Sequence, residues 1–133
     1  MVLESPISRG YLDTSPFWEG ARTHRLMLQL CRDTGRFQHP PQPVSQYSGS
    51  RNLEWRQACG KGRIFSWIIQ SASRAPLLPR SPLVSVLVDL EEDVRILSWL
   101  TAVENQEVRR GRTVELDWQP LDDGRIWPAF RIV

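Results

Sequence analysis

The stretch that decides the fold is Leu-Val-Ser-Val-Leu-Val-Asp-Leu, residues 83–90. Every second residue from Val84 to Leu90 is apolar and falls on one face of an extended chain, whereas Ser85 and Asp89 fall on the other. Successive side chains of a strand point to opposite faces, and branched residues favour the extended conformation. The stretch therefore predicts a β-strand with one face in a core.

Four more stretches after residue 52 read as strands. Residues 62–71 place Phe65, Trp67 and Ile69 on one face, residues 94–101 are largely apolar, and residues 113–119 alternate strictly. Asp123-Gly124 predicts a hairpin turn into a last strand that ends near Ile132. Five strands in about 80 residues are typical of a closed or nearly closed small barrel.

The N-terminal residues 1–24 predict an extended arm followed by a short helix. Ser15 is placed to cap this helix and Pro16 to occupy its first position, and the helix ends near Gly20. It carries Phe17 and Trp18 and is too short to be stable alone. We expect this aromatic pair to dock either on its own domain or on a partner protein.

Residues 25–51 predict a knuckle with almost no core of its own. A strand that ends at Cys31 leads into a turn around Gly35, a short strand at Phe37 and the proline-rich run 39–43, which must be extended. The chain thus divides into an arm with a helix (1–24), a knuckle (25–51) and a barrel (52–133).

Composition excludes several classes of protein. The 133 residues carry a formal charge of +2, which is too small to indicate a nucleic-acid partner by itself. No apolar run approaches the 18 residues of a membrane helix, and the first nine residues lack the pattern of a secretory signal. Two cysteines do not make a disulfide framework, so we expect a cytoplasmic protein with reduced thiols.

The sequence offers no catalytic constellation. Cys59 lies near Lys61, which favours a thiolate, but no base accompanies it. His24 and His39 lack partners at metal-ligand spacing, and His39 is predicted to be an exposed loop residue. The acidic run 91–93 and the arginine-rich run 109–112 are predicted to be solvated connections. Gly60-Lys61-Gly62 precedes a strand and predicts the entry to a long bent strand, not a phosphate loop.

Eight short motifs stand in a specific order along residues 11–131. They are Phe17-Trp18-Glu19-Gly20, the strand into Cys31, Pro40-Pro41, Ser48-Gly49-Ser50 with Leu53-Glu54-Trp55, the run from Gly60 to Ser66, Ser81-Pro82, the run from Leu90 to Arg95, and Pro128-Ala129-Phe130. This order resembles the acyl-CoA-associated zinc-ribbon/OB-fold family, long catalogued as domain of unknown function thirty-five.

The resemblance implies a mainly β protein: a short helix, a rubredoxin-like zinc ribbon and a five-stranded OB-fold barrel. It also implies that a partner enzyme carries the catalytic groups. Family members accompany thiolase-like enzymes, retro-aldolases that shorten steroid side chains, acyltransferases of polyketide-like pathways, or enoyl-CoA hydratases.

The chain departs from the family at the metal. The family has two C-x-x-C pairs, since structural zinc takes four ligands, mostly thiolates. Here the corresponding positions read Cys31, Thr34, Ser45 and Ser48. Hydroxyls are poor zinc ligands at neutral pH, and His39 is the only nearby substitute, so we predict a degenerate ribbon without metal. A second departure is Asp93, where the family more often has glycine.

These observations predict a non-catalytic accessory subunit of a CoA-dependent thiolase or retro-aldolase-type complex, or of an enoyl-CoA hydratase. Phe17 and Trp18 are the candidate partner contacts. Lys61, Arg63 and Arg80 are candidates for contacting the phosphates of coenzyme A at the partner interface. No membrane partner is expected.

Two rival functions remain open. OB-folds also bind single-stranded nucleic acid through aromatic stacking in a basic groove, although Trp67 and Trp118 fall on predicted core faces. A free-standing hydrolase or acyltransferase would need Cys59 as nucleophile, and the sequence supplies no base for it.

Overall fold

The computed structural model describes residues 14–70, 83–104 and 106–133. Among these residues, no helix is both long and apolar enough to span a membrane. The chain forms one short helix and eight strands, in the order α1 (Ser15–Arg22), β1 (Met27–Cys31), β2 (Arg36–Gln38), β3 (Leu53–Gln57), β4 (Lys61–Gln70), β5 (Leu83–Leu90), β6 (Arg95–Trp99), β7 (Thr113–Pro120) and β8 (Ile126–Ile132).

Helix α1 and its N-cap both begin one residue earlier than the sequence predicts. Thr14 occupies the N-cap position, Ser15 is already helical, and no side chain caps the helix. Proline lies in the first turn as predicted, because the missing N–H costs nothing there. A side chain at Gly20 would come within 2.5 Å of Met27 Cγ, so glycine lets the helix approach β1 closely.

The first sheet contains three antiparallel strands in the order β2-β1-β3. Its hairpin turns at Gly35, which has a φ of 71°, as the turn around residues 32–36 predicts. Strand β3 pairs with β1 along its whole length, from Met27 opposite Gln57 to Cys31 opposite Leu53. The sequence predicts that the barrel begins at residue 52. The structure differs, because β3, the first strand of that segment, belongs to the ribbon sheet.

The second sheet contains the five predicted barrel strands, in the order β6-β5-β4-β7-β8. Its two ends approach each other where Leu100 bridges Phe130, and Thr101 N–H donates to the Phe130 carbonyl at 2.8 Å. The fold is thus a nearly closed barrel of the OB type, as predicted. The turn between β7 and β8 is the predicted one, and Gly124 takes a φ of 87° there.

Strand β4 differs from its predicted orientation. A β-bulge between Ile64 and Ser66 shifts its register against β5. A bulge adds one residue to one strand and so reverses the faces beyond it. Phe65 has no partner at the bulge, whereas Ile64, Trp67 and Ile69 lie opposite Val88, Val86 and Val84 and share their face. On that face Ile64 is buried, but Trp67 is 37% and Ile69 is 69% exposed. The prediction that Phe65, Trp67 and Ile69 form the core face of this strand is wrong.

One hydrophobic core joins the ribbon sheet to the barrel. Leu26 and Leu28 from the knuckle pack with barrel residues such as Ile64, Val86 and Phe130, all of them at most 1% exposed. The knuckle therefore has little core of its own, as predicted, and draws its hydrophobic stabilisation from the barrel. A smaller cluster of Leu83, Trp99, Leu121 and Ala129 lies beside Trp127.

Candidate functional site

The four positions that hold zinc in a ribbon lie close together in this chain. The sulfur of Cys31 lies 3.7 Å from the Ser48 hydroxyl oxygen, and hydrogen bonds from Ser45, Thr34 and Ser48 lower the pKa of the Cys31 thiol to about 7. Cys31 is fully buried. The fold thus brings together the residues that the sequence pairs at metal-ligand spacing.

The donor atoms at these positions do not fit structural zinc. One thiol and three neutral hydroxyls replace the four soft ligands that zinc requires. His39 does not complete the set, because it packs 6.2 Å from Phe17 between ring centroids and lines cavities on the barrel side. The described residues contain no group of three or more histidine, cysteine, aspartate or glutamate side chains suited to a metal.

The knuckle and the barrel enclose a groove with two compartments. One cavity, of about 480 Å³, is lined mainly by apolar side chains of β5 and β6, including Leu83, Leu87, Leu97 and Trp99. The other, of about 430 Å³, is polar and is lined by residues that include Gln46, Tyr47, Asp89 and Asp93. His39 and Arg95 line both cavities and so stand at the boundary between them.

His39 is not the exposed loop residue that the sequence predicts. It is half-buried at the groove, where burial lowers the pKa of its imidazole to about 4. Its ring is therefore neutral near pH 7. The prediction failed because the ring packs near Phe17 of the N-terminal helix, a contact between segments distant in sequence.

The helix aromatics pack against their own chain. Phe17 is 8% exposed and belongs to the main core. Trp18 is half-buried, with its ring centroid 5.7 Å from that of Trp127 and the Arg125 guanidinium 4.7 Å above its ring. Of the two predicted partner contacts, Phe17 has almost no surface to offer, because its ring docks on its own domain. Trp18 retains an accessible part.

Two of the predicted phosphate contacts, Lys61 and Arg63, do not line the groove. Lys61 and Arg63 are both exposed on the outer face of β4, because alternate residues of a strand share a face and the intervening Gly62 is buried. Glu115 lies opposite Lys61 and Asp89 opposite Arg63 in the strand register, so this face carries both signs of charge. Arg80 lies outside the described residues.

Cys59 lies in an acidic environment. Its sulfur is 3.1 Å from Glu91 Oε2, and its backbone N–H donates to Glu92 Oε2 at 2.9 Å. Burial, together with the two carboxylates, raises the pKa of the Cys59 thiol. The carboxylates thus oppose the thiolate that the neighbouring Lys61 was expected to favour, and the thiol is a poor nucleophile at neutral pH.

The end of β4 carries an exposed apolar patch that was not predicted from the sequence. Trp67, Ile68 and Ile69 are exposed by 37%, 60% and 69%. Ile64 still bonds the backbone of Gly111 and Arg112, but beyond it β4 pairs only with β5 among the described residues, so this half of the strand has a free edge. We call residues 67–69 the β4 patch. The signal in the sequence was the run of three large apolar residues, which strict alternation cannot bury on one face.

Comparisons with known proteins agree with this arrangement. The fold, a degenerate zinc ribbon followed by an OB barrel, places the chain in the class of zinc-ribbon/OB-fold proteins. Residues 18–54 match the family model described as ChsH2, rubredoxin-like zinc ribbon domain, and residues 55–119 match ChsH2, C-terminal OB-fold domain. A DUF35 domain-containing scaffold protein of Pyrococcus furiosus is 33% identical over 125 residues, which cover 90% of this chain and 91% of that protein. The chain belongs to the DUF35 family, with domains of the ChsH2 type.

Two longer relatives carry enzyme names. A probable enoyl-CoA hydratase alpha subunit of Thermomonospora curvata and the 3-oxo-4,17-pregnadiene-20-carboxyl-CoA hydratase alpha subunit of Mycobacterium tuberculosis are each 32% identical over 116 residues. The matches cover 86% of this chain, which spans only 36% of the length of either relative.

Solved structures show the same fold. A chain of the structure described as Ltp2-ChsH2(DUF35) aldolase superposes with a TM-score of 0.80 at 28% identity, covering 93% of this chain and 98% of that one. A DUF35 family protein of unknown function from Sulfolobus solfataricus superposes with a TM-score of 0.64 at 11% identity, covering 94% and 90%, and shows the fold alone.

Proposed function

We propose that this chain is a non-catalytic accessory subunit of a CoA-dependent enzyme complex of the thiolase or retro-aldolase type, or of an enoyl-CoA hydratase, acting on acyl-CoA in the cytoplasm. The observation that carries the proposal is the likeness, along nearly its whole length, to a chain of the structure described as Ltp2-ChsH2(DUF35) aldolase. The Pyrococcus relative is described as a scaffold protein, which supports the same role.

The chemistry of the described residues supports a non-catalytic role. Cys59 faces Glu91 and Glu92 and has a raised pKa, whereas Cys31 is buried in the knuckle. His39 is neutral, and of the two serines that line its apolar cavity, Ser98 already donates its hydroxyl to the Pro128 carbonyl at 2.6 Å. A reaction of the complex would therefore take its acid, base and nucleophile from the partner enzyme.

The β4 patch supports the presence of a protein partner. Neighbouring exposed apolar side chains with a free strand edge are costly in water and are typical of interaction sites. We place the partner enzyme on this patch, because apolar contacts and backbone pairing along the free edge of β4 could form together.

The test is co-expression of the chain with an Ltp2-type aldolase from the same host. We expect the two proteins to co-elute from a sizing column at a fixed ratio, and the aldolase to need the chain for activity or solubility. An aldolase that elutes alone and turns over its acyl-CoA at full rate without the chain would contradict the proposal for this class of enzyme. The same experiment with a hydratase partner distinguishes the two enzyme classes.

A second candidate function is binding of single-stranded nucleic acid. The observation that favours it is Phe65, whose ring lies 3.5 Å from the Arg95 guanidinium and 4.8 Å from that of Arg110, close to the exposed Trp67. Arg95 is also paired with Asp89 at 2.6 Å, which reduces its attraction for phosphate. Salt-sensitive binding of a labelled oligonucleotide, lost in Trp67→Ala, would support this function over the first.

A further inference from the structure

The two loops of the knuckle meet at a single carboxylate. Asp33, in the loop of residues 31–35, accepts hydrogen bonds from three side chains in the loop of residues 45–52. Its Oδ2 accepts from the Ser48 hydroxyl at 2.7 Å and from the Ser50 hydroxyl, and its Oδ1 accepts from Asn52 Nδ2 at 2.8 Å. These are the same two loops that a zinc ion would join, because the ribbon ligand positions are divided between them.

The second loop is organised to present these donors. Ser45 is 2% exposed, and its hydroxyl oxygen accepts from the backbone N–H groups of Tyr47 and Ser48, each at 3.1 Å. Gly49 N–H donates to the Ser45 carbonyl at 2.8 Å. The loop is therefore fixed by its own hydrogen bonds, and the hydroxyl of Ser48 is held between Asp33 and the sulfur of Cys31.

A second layer of hydrogen bonds ties the proline-rich segment to the sheet. Gln38, on β2, is fully buried and donates from Nε2 to Gln29 Oε1 on β1 at 2.8 Å. Gln38 Oε1 accepts from the backbone N–H of Gln46, and Gln29 Oε1 accepts from that of Gln42, at 2.8 and 2.9 Å. The buried amides thus position the start of the second loop.

We propose that this network, centred on the Asp33 carboxylate, takes the structural role of zinc, so that the knuckle of this chain folds without a metal ion. A carboxylate that accepts three hydrogen bonds cross-links the loops with defined directions, as a tetrahedral metal would. Bonds to a charged acceptor are stronger than those between neutral groups. Ser48, at one of the four ligand positions, donates to Asp33, and the hydroxyl oxygen of Ser45, at another, accepts the backbone N–H groups that order the second loop.

The first experiment uses the full chain and two single variants. We expect the purified protein to contain less than about 0.1 zinc per chain and to unfold at the same temperature with and without a strong chelator. Asp33→Ala should lower the unfolding temperature by about 4–8 °C, with or without added zinc, and speed amide hydrogen exchange in residues 45–52. Asp122→Ala, an exposed aspartate in the β7–β8 turn, is the matched control and should change neither.

The second experiment restores the metal site. In the triple variant Thr34→Cys, Ser45→Cys, Ser48→Cys the four ligand positions again carry thiols, and the backbone path of the ribbon is retained. We expect this variant to bind about one zinc per chain and its unfolding temperature to fall when the chelator is added. This result would show that the knuckle retains the geometry of a zinc site.

Two outcomes would overturn the inference. One is stoichiometric zinc in the natural protein, with a chelator that lowers its unfolding temperature. The other is an Asp33→Ala variant that matches Asp122→Ala in unfolding temperature and in hydrogen exchange. If Asp33→Ala does not yield folded protein, the chelator experiment on the natural chain still decides the question. Neither result depends on whether the chain joins an enzyme complex.

Discussion

The side-chain nitrogen of Gln38 lies 2.8 Å from the side-chain oxygen of Gln29, inside the knuckle where Gln38 has no exposed surface. The pair joins neighbouring strands β1 and β2, and each amide also bonds the backbone of the following loop. Glutamine is seldom fully buried, and here its burial is compensated because its amide atoms have partners.

Replacement of Gln38 by leucine should destabilise the chain by about 3 kcal/mol, because three groups lose the hydrogen bond that Gln38 makes to them. These groups are the N–H of Gln46, the carbonyl of Val44 and the side-chain oxygen of Gln29. Urea unfolding followed by tryptophan fluorescence measures the change. Gln57→Leu, the same substitution at an exposed position of β3, should stay within about 0.5 kcal/mol of the natural protein. Equal midpoints for the two variants would show that the buried amide pair contributes nothing.

Gly62→Ala should destabilise the barrel by about 2–3 kcal/mol, because a Cβ at this position would meet the backbone carbonyl of Asp89 and come within 2.7 Å of Val88 Cγ1. Strand β5 cannot move aside without disturbing the core. Gly124→Ala is the control: its φ of 87° is strained for alanine, but nothing lies within 4 Å of its Cβ, so about 1 kcal/mol is expected. The prediction fails if Gly62→Ala proves the milder of the two.

The stability of the chain should fall as the pH drops from about 6.5 to about 4. Burial lowers the pKa of His39 in the folded state to about 4, so the unfolded chain binds the proton first and acid favours unfolding. The stabilisation is complete above the ordinary pKa of 6.5 and is lost towards the folded value. The charged groups that line the same cavities are Asp89, Asp93 and Arg95.

Urea midpoints at pH 7.0, 6.0 and 5.0 measure this dependence. His39→Gln should flatten it, since glutamine does not titrate in this range, and His24→Gln, at an exposed site stacked on Trp118, is the matched control. A slope that persists in His39→Gln would assign the pH dependence to the carboxylates instead.

Ile69→Asp should weaken the proposed complex with the partner enzyme at least tenfold without unfolding the chain. The side chain is 69% exposed, so aspartate should change the free energy of unfolding by less than about 0.5 kcal/mol, but it places a charge in an apolar contact. Biolayer interferometry with the co-purifying enzyme measures the affinity. Val133→Asp, at a 58% exposed valine, is the control, and equal affinity of the two variants would remove the β4 patch from the interface.

The conformation of Asp93 accounts for one departure from the family pattern. Asp93 has a φ of 63°, in the left-handed region that glycine adopts without strain and aspartate tolerates better than most residues. Its N–H donates to the Leu90 carbonyl at 3.0 Å, so the turn between β5 and β6 keeps its shape with aspartate in the position. The departure therefore changes the charge at the polar cavity, not the chain path.

The sequence by itself determined the features that depend on neighbouring residues. Three such features are the strict alternation from Thr113 to Gln119, the Asp123-Gly124 turn and the short helix around Phe17. Alternation and turn residues of this kind predicted all five barrel strands. The spacing of Cys31 and Ser48 in the family pattern also placed the degenerate ribbon correctly. These predictions hold because side-chain period and turn conformation are set within a few residues of chain.

Only the tertiary structure decided which segments meet. The bulge after Ile64 separated Phe65 from the face that carries Trp67 and Ile69, β3 paired with β1, and the ring of His39 packed near Phe17. The Asp33 carboxylate accepts hydrogen bonds from three side chains that lie 15 to 19 residues further along the chain. A sequence pattern records which groups can bond but not which distant groups lie within 3 Å. Packing of the knuckle on the barrel core makes that choice, and here it placed a hydrogen-bonded carboxylate beside the positions that hold a metal in a zinc ribbon.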